Sequence, residues 1–379
     1  MKRSDRKILT THVGSLPQLI PLDKDASDYA AKLPASVAVV VERQRGLGLD
    51  LINEGEYTKG GDWLSYLEDR FGGFEPRPPK EGVHLLARGK DREEFAEFYR
   101  YAVESNTLFY APGGLINKMR PSWVATAPIT YQGKAALDRE IEIFGGHVRP
   151  GEDAFITSTA PASLEPYREN EFYKTPEEFL YAIAEAMRVE YRAIVDAGFV
   201  LQVDDAWLPA LWDRIGMQMG LAAFKQRCEI RVEALNHALA GIPEDRIRYH
   251  LCWGSWHGPH AYDLEMKYVV DLMLKVKAQA YSFEAANARH EHEYAVWESV
   301  KLPPGKIVIP GVITHSTDTI EHPELVAQRI ARFAALVGKE NVIAGADCGF
   351  GGRSHPQIAW AKLKALTEGA ALASKNLFR

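Results

Sequence analysis

Ile247-Arg-Tyr-His-Leu-Cys252 is the stretch on which the reading of this chain turns. It is a short apolar run that closes on two metal-ligating residue types. At the end of a β-strand, His250 and Cys252, two residues apart, point to one face. Two further runs end the same way. Glu284 closes Ala278–Glu284, and Cys348 closes Val342–Cys348 inside Ala344-Gly-Ala-Asp-Cys-Gly349. Imidazole, thiolate and carboxylate are the groups that hold zinc. The chain has only three cysteines, and two of them fall in this set. The third, Cys228, sits in the helical pattern Phe224–Leu235 and reads as buried and inert.

Working outward, the same unit recurs: a short apolar run, a polar or Gly-rich turn, then an amphipathic stretch with apolar spacing of three and four. The clearest runs are Phe199–Val203, Ile247–Cys252, Ala278–Phe283, Ile307–Val312 and Val342–Ala346, with earlier candidates at Leu51–Glu54, Val124–Ile129 and Ala154–Ser158. Helical patterns cover Pro176–Asp196, Gly216–Ala240, Asp263–Val276, Pro323–Val337 and Ile358–Ser374. Such alternation specifies a parallel sheet, and about eight units close into a (β/α)₈ TIM barrel. An open doubly wound sheet is the alternative. The barrel is preferred because the chemically interesting residues all stand just past strand ends, where a barrel builds its active site. The expectation is one domain over residues 1–379. Residues about 60–120, with Pro76-Arg-Pro-Pro79 and a basic–acidic stretch, break the rhythm and read as an insertion or lid.

The 379 residues are 46% hydrophobic and 25% charged, with net charge −6, as in a soluble enzyme. No long basic run points to nucleic acid or an anionic membrane. No apolar stretch approaches the roughly 20 residues needed to span a bilayer, and the basic N-terminus lacks the apolar core of a signal peptide. Three cysteines do not make a paired disulfide framework, so a reduced, cytoplasmic setting is expected.

Two thiolates and one carboxylate carry three negative charges, of which Zn²⁺ offsets two. A centre this electron-rich activates water poorly but keeps a bound thiolate nucleophilic. The competing reading is a closed structural zinc site, for which four protein ligands are usual. Against it, the ligands spread from His250 to Cys348 with no Cys-x-x-Cys knuckle. Around them stand further candidates. The turn in Thr10-Thr-His-Val-Gly-Ser-Leu-Pro17 brings amides and the Ser15 hydroxyl close to a ligand. Glu56, with Glu54 as its competitor, and Asp204 can fix a substrate ammonium. His315 ends Ile307–Thr314 and can act as an acid. Arg353, in Gly349-Phe-Gly-Gly-Arg353, can pair with a substrate carboxylate or a local acid. Trp253 and Trp256 wall the pocket or simply pack. His257, His260, His290, His292 and His322 read as caps or solvent-facing residues.

Together these pieces resemble the catalytic C-terminal half of cobalamin-independent methionine synthase and its shorter relatives. The matching segments run in order through nearly the whole chain: Thr11-His-Val-Gly-Ser15, Gly48-Leu-Asp-Leu-Ile-Asn-Glu-Gly-Glu56, Leu201-Gln-Val-Asp204, His250-Leu-Cys252, Glu284, His315-Ser316 and Asp347-Cys-Gly349. The resemblance implies zinc on His250, Cys252, Glu284 and Cys348. It implies a homocysteine-like thiol as acceptor, held by Ser15, Glu56 and Asp204, with His315 passing a proton to the leaving group. A methyl donor such as methyl-tetrahydrofolate and a homo-oligomer are compatible with it. The family's Thr-Gly-Pro-Val-Thr strand is close to Thr159-Ala-Pro-Ala-Ser163, but Glu165-Pro-Tyr167 stands where a tryptophan near the folate is usual, and Asp205 replaces a glutamate. Short relatives also resemble epoxyalkane:coenzyme M transferases, in which a thiolate opens an epoxide. A zinc-stabilised binding protein without turnover is the reading from outside enzymology.

Overall fold

The computed structural model describes residues 1–60, 63–78, 88–108 and 121–379. Its strands, in chain order, are β1 (Leu9–Thr10), β2 (Leu51–Ile52), β3 (Phe71–Arg77), β4 (Ser122–Tyr131), β5 (Asp153–Thr159), β6 (Arg168–Asn170), β7 (Val200–Asp205), β8 (Ile247–Leu251), β9 (Ala280–Phe283), β10 (Ile307–Ile313) and β11 (Ile343–Ala346). Eight of them form one sheet in the order β1-β11-β10-β9-β8-β7-β5-β2, and every recorded pairing in it is parallel. The two ends meet where Asp50 N donates to Thr10 O at 3.1 Å and Thr10 N donates to the Asp50 carboxylate at 3.0 Å. The result is a nearly closed (β/α)₈ TIM barrel.

Helices return the chain between strands. Pro176–Asp196 starts cleanly because Thr175 accepts a hydrogen bond from Glu178 N at 3.1 Å and Pro176 occupies the first turn. Pro323–Val337 and Pro356–Leu377 begin the same way, with His322 and His355 as caps. The crossover after β8 keeps only a short helix, Val270–Lys275.

One expectation needs correction. Val124–Ile129 is a strand but not a barrel strand: it lies in β4, antiparallel to β3 and parallel to β6 in a separate three-stranded sheet. Its place in the barrel is taken by β1, which at two residues is too short to show any periodicity. The irregular stretch near residues 60–120 contributes no barrel strand among its described residues. It supplies β3 and the helices Lys90–Glu94 and Ala96–Glu104. Pro79 of the Pro76-Arg-Pro-Pro79 run lies outside the described residues, as do Lys80 and Glu81 of the basic–acidic stretch.

Strand parity sorts the side chains. Phe155, Val200, Ala280, Ile309 and Ile343 form an apolar cluster inside the barrel, whereas Ile156, Leu201, Val203, Tyr249 and Phe283 belong to the larger core under the helices. Phe155 pairs with Val200, Thr157 with Gln202, Asp204 with His250, and Arg248 with Ala280. Counting in twos from the apolar floor therefore puts Gln202, Asp204, Arg248, His250, Ser282 and Glu284 in the lumen. The barrel is apolar at its base and polar at the C-terminal ends of its strands. Arg248 lies in between, over the Phe155 ring at 4.1 Å, donating to Thr11 Oγ1 and to His12 O, each at 2.8 Å.

Candidate metal centre

His250 and Cys252 leave the end of β8 and Cys348 follows β11. Their donor atoms all lie within 4.8 Å of one another, and all three residues are buried. The two sulfurs are 3.9 Å apart. A tetrahedral ion with bonds of about 2.3 Å needs an edge of roughly 3.8 Å, so the pair already has a zinc-like spacing. His250 Nδ1 faces Ser282 Oγ at 3.3 Å, while its buried Nε2 has no hydrogen-bond partner among the described residues. An orphaned imidazole nitrogen beside two sulfurs is what a thiophilic cation would satisfy.

The protonation pattern agrees. A hydrogen bond from Cys252 outweighs burial and, with Arg353 nearby, holds the Cys348 thiol well below its usual range. The Cys252 thiol is pushed up by that same contact. Cys348 is thus the sulfur favoured as thiolate, and Cys252 the one favoured as thiol. Burial disfavours a charged His250, but the Cys348 sulfur overcomes it and raises the pKa.

Glu284 stands beside this trio and is not one of its members. Its Oε1 accepts from Trp253 N at 3.0 Å and its Oε2 from Asn287 Nδ2 at 2.8 Å. Burial raises its pKa to about 7 against the pull of His290. Asp347 braces the same loop, accepting from Ala285 N at 2.8 Å, Ala286 N at 2.9 Å and Asn287 Nδ2 at 3.1 Å.

The residues read as substrate-binding line the same mouth. Ser15 O accepts from Phe350 N at 2.8 Å, which binds the Gly-Ser turn to the segment after Cys348. Gly349 is glycine for a reason: a Cβ there would drive into Ser15 Oγ. Glu56 is buried with φ 61, a left-handed conformation that costs a non-glycine residue strain, and its Oε1 accepts from Thr157 Oγ1 at 3.0 Å. A Cβ on Gly14 would come within 2.5 Å of that oxygen. Glu54, the competitor, is also buried, and neither of its oxygens has a hydrogen-bond partner among the described residues. Asp204 Oδ1 accepts from Gln202 Nε2 at 2.7 Å, and burial, reinforced by Glu56, raises its pKa to about 7.

His315 is buried, and burial lowers its pKa to about 3. It is a neutral ring whose Nδ1 lacks a partner among the described residues, so it is suited to relay a proton rather than store one. Arg353 donates to Ser255 Oγ, to Ser15 Oγ at 3.3 Å and to Gly351 O at 3.1 Å, all neutral acceptors. Trp253 and Trp256 are both buried; Trp256 Nε1 donates to Tyr99 OH at 3.1 Å, which seats the helix Ala96–Glu104 against the loop after Cys252. Cys228 is buried as expected, and its pKa is pushed up to about 12 by desolvation.

The sequence reading passed over Asn287, Asp347, Asp263 and His290 as site residues. Asp347 stood next to Cys348 in a quoted motif. From sequence His290 reads as a cap or surface histidine; in the fold it is buried, with a carboxylate oxygen at each ring nitrogen.

Fold and site together define a class: a parallel (β/α)₈ barrel whose C-terminal mouth carries a His–Cys–Cys cluster suited to a thiophilic metal. Residues 169–372 match the family model for the cobalamin-independent synthase catalytic domain, and the chain belongs to that family. It is 25% identical over 306 residues to a methionine synthase of Saccharolobus solfataricus, covering 79% of this chain and 82% of that one. Its fold matches a B12-independent methionine synthase from a Shewanella species, solved with selenomethionine, at TM-score 0.74 and 17% identity, over 98% of this chain and 99% of that one. A putative vitamin-B12 independent methionine synthase from Listeria monocytogenes matches at TM-score 0.64 and 19% identity, over 96% and 98%. No described helix is long and apolar enough to cross a membrane.

Proposed function

We propose that this chain is a zinc-dependent S-methyltransferase that acts on a small amino-bearing thiol such as homocysteine. The observation that carries the reading is the 3.9 Å Cys252–Cys348 pair beside the orphaned His250 Nε2, placed at the catalytic end of the barrel. A zinc ion held there would supply thiol activation, keeping an incoming sulfur as a nucleophilic thiolate.

The chain's own groups do the rest. Glu56 and Asp204 offer carboxylates for an ammonium, and Ser15 offers a hydroxyl beside the Cys348 loop. His315 Nδ1 is open to accept a proton while its Nε2 passes one to the departing group. Trp63, Tyr167 and Trp207 stand edge to face, with ring centroids 6.2 and 6.1 Å apart, beyond the ends of β5 and β7. This aromatic wall supports a flat-ringed methyl donor of the methyl-tetrahydrofolate type, although the usual tryptophan position holds Glu165-Pro-Tyr167. The family relationship and the methionine synthase names among the relatives support the same activity.

The test supplies homocysteine and coenzyme M in turn, each with methyl-tetrahydrofolate and with an epoxide, and looks for the thioether. Methionine formed by the zinc-loaded protein, and abolished by a chelator, is the expected result. Full turnover after complete metal removal rejects the mechanism. A thioether from the epoxide alone moves the chain to the alkyltransferase class, and no product with any pair leaves the binding-protein reading.

A further inference from the structure

Behind Glu56 runs a buried chain of hydrogen bonds that the proposed chemistry leaves unused. Lys59 closes the short turn that Glu56 opens, its backbone N donating to Glu56 O at 3.2 Å. The Lys59 side chain runs to β5, where Nζ donates to Thr157 O and, at 2.9 Å, to Thr157 Oγ1. The same ammonium stands 3.1 Å from Glu140 Oε1, and both of these side chains are 1% exposed. Thr157 Oγ1 in turn donates to Glu56 Oε1 at 3.0 Å. An ammonium only donates, and a hydroxyl has a single hydrogen. Thr157 must therefore accept from Lys59, and its one hydrogen goes to the Glu56 carboxylate. The relay runs one way and is charge-assisted at both ends.

This relay fixes which Glu56 oxygen is left for a ligand. Oε1 is taken by Thr157 and closed over by Gly14, where a Cβ would come within 2.5 Å of it. Oε2 makes no hydrogen bond among the described residues. Charge is sorted by the same contacts. Burial pushes the Glu56 carboxyl up, Lys59, the Thr157 hydroxyl and Arg353 pull it down, and the Cys348 sulfur pushes it up again. Two further acids, Glu54 and Asp204, reach it. Burial lifts Glu54 to about 8, and neither of its oxygens has a hydrogen-bond partner among the described residues. Glu54 is thus the neutral acid of the pair, and the Lys59 charge serves Glu56 and Glu140.

We propose that Lys59 and Thr157 are positioning residues that hold Glu56 as a carboxylate with Oε2 free at the barrel mouth, and that this relay makes the site select a thiol that also bears an ammonium. The inference rests on the thiol-binding reading above. A protonated Glu56 would offer an ammonium no countercharge, and a Glu56 without the Thr157 hydrogen bond would be free to turn its oxygens away.

The experiment titrates zinc-loaded wild type, Lys59→Met, Thr157→Val and Thr157→Ser by calorimetry over a series of pH values. The ligands are homocysteine and γ-mercaptobutyrate, the same thiol acid without the amino group. The ratio of the two affinities cancels what a substitution does to the metal or the fold. Wild type should prefer homocysteine. Thr157→Val should lower that preference about tenfold, the scale of one hydrogen bond to a charged group, and Lys59→Met by at least as much, with γ-mercaptobutyrate unaffected in both. Thr157→Ser keeps the hydroxyl and should match wild type. Loss of the Lys59 charge raises the Glu56 pKa, so in Lys59→Met the preference should vanish at low pH and return at a higher pH than in wild type. Variants that keep the wild-type preference at every pH overturn the proposal. So does an equal loss for both thiols, which makes the relay a structural brace. If Lys59→Met does not fold, Thr157→Val set against Thr157→Ser decides. Wild type that binds both thiols equally overturns the proposal as well, whereas wild type that binds neither defeats the thiol-binding reading itself, a separate signature.

Discussion

Cys252 and Cys348 lie 96 residues apart in sequence, yet their sulfurs are 3.9 Å from each other. Removing either sulfur removes a donor that no described neighbour replaces. Cys252→Ser is expected to lower zinc affinity at least 10- to 100-fold with the fold intact, read by chelator competition and circular dichroism. Gly349→Ala tests the other half of the mouth. Its Cβ would displace Ser15, so thiol affinity should fall at least about tenfold by calorimetry while bound zinc is unchanged. Equal loss of zinc would place Gly349 in the metal centre instead. At this scale the sequence was informative where spacing encodes geometry. His250 and Cys252 share a face because strand side chains alternate, and that is visible in six letters. Glu284 was visible as a residue but not as a posture, because its hydrogen bonds come from Trp253 N and Asn287, which no local pattern links to it. His290 was misread because a histidine between polar neighbours looks exposed, and only the fold brings Asp263 to it.

The loops after β8 and β9 are joined through contacts among His260, Asp263, His290 and Glu293, so their stability should depend on pH in a particular window. Asp263 is depressed from 3.8 to about 2, so its contribution is whole above pH 3.8 and is lost as pH falls through 2. His290 is raised from 6.5 to about 10, so its contribution is whole below pH 6.5 and is lost as pH rises through 10. The gap in melting temperature between wild type and Asp263→Asn should be widest between about pH 4 and 6.5 and shrink on both sides; a gap that does not change with pH contradicts the assignment. Among the elements, long amphipathic helices with Pro starts were legible, and Pro176–Asp196 and Pro323–Val337 have the bounds that their spacing gives. The two-residue β1 was not, since its pairing depends on β11 rather than on its own pattern. β4 misled for the opposite reason: it has strand chemistry but pairs outside the barrel.

Across the whole molecule, the outer sheet and helices are fastened to the barrel by a buried ionic network. Arg70 bridges Glu190 at 2.9 Å and Glu140 at 2.8 Å, Lys59 meets Glu140 at 3.1 Å, and Ser158 of β5 donates to Glu190 at 2.7 Å. Arg70→Met would leave two carboxylates buried without their guanidinium, which costs about 3–5 kcal/mol. The melting temperature should fall by roughly 5–10 °C, and a variant as stable as wild type would show the network to be dispensable. Composition and strand–helix rhythm made the barrel legible at this scale, but no local signal announced a charge network assembled from Lys59, Arg70, Ser158 of β5 and two helices. The proposed chemistry depends on the barrel mouth taking a thiol sulfur beside Cys252 and Cys348. X-ray absorption at the zinc edge, recorded with and without homocysteine, tests this most directly. A third sulfur neighbour appearing with thiol is the predicted result. Two sulfurs before and after, at full thiol saturation, would contradict the account.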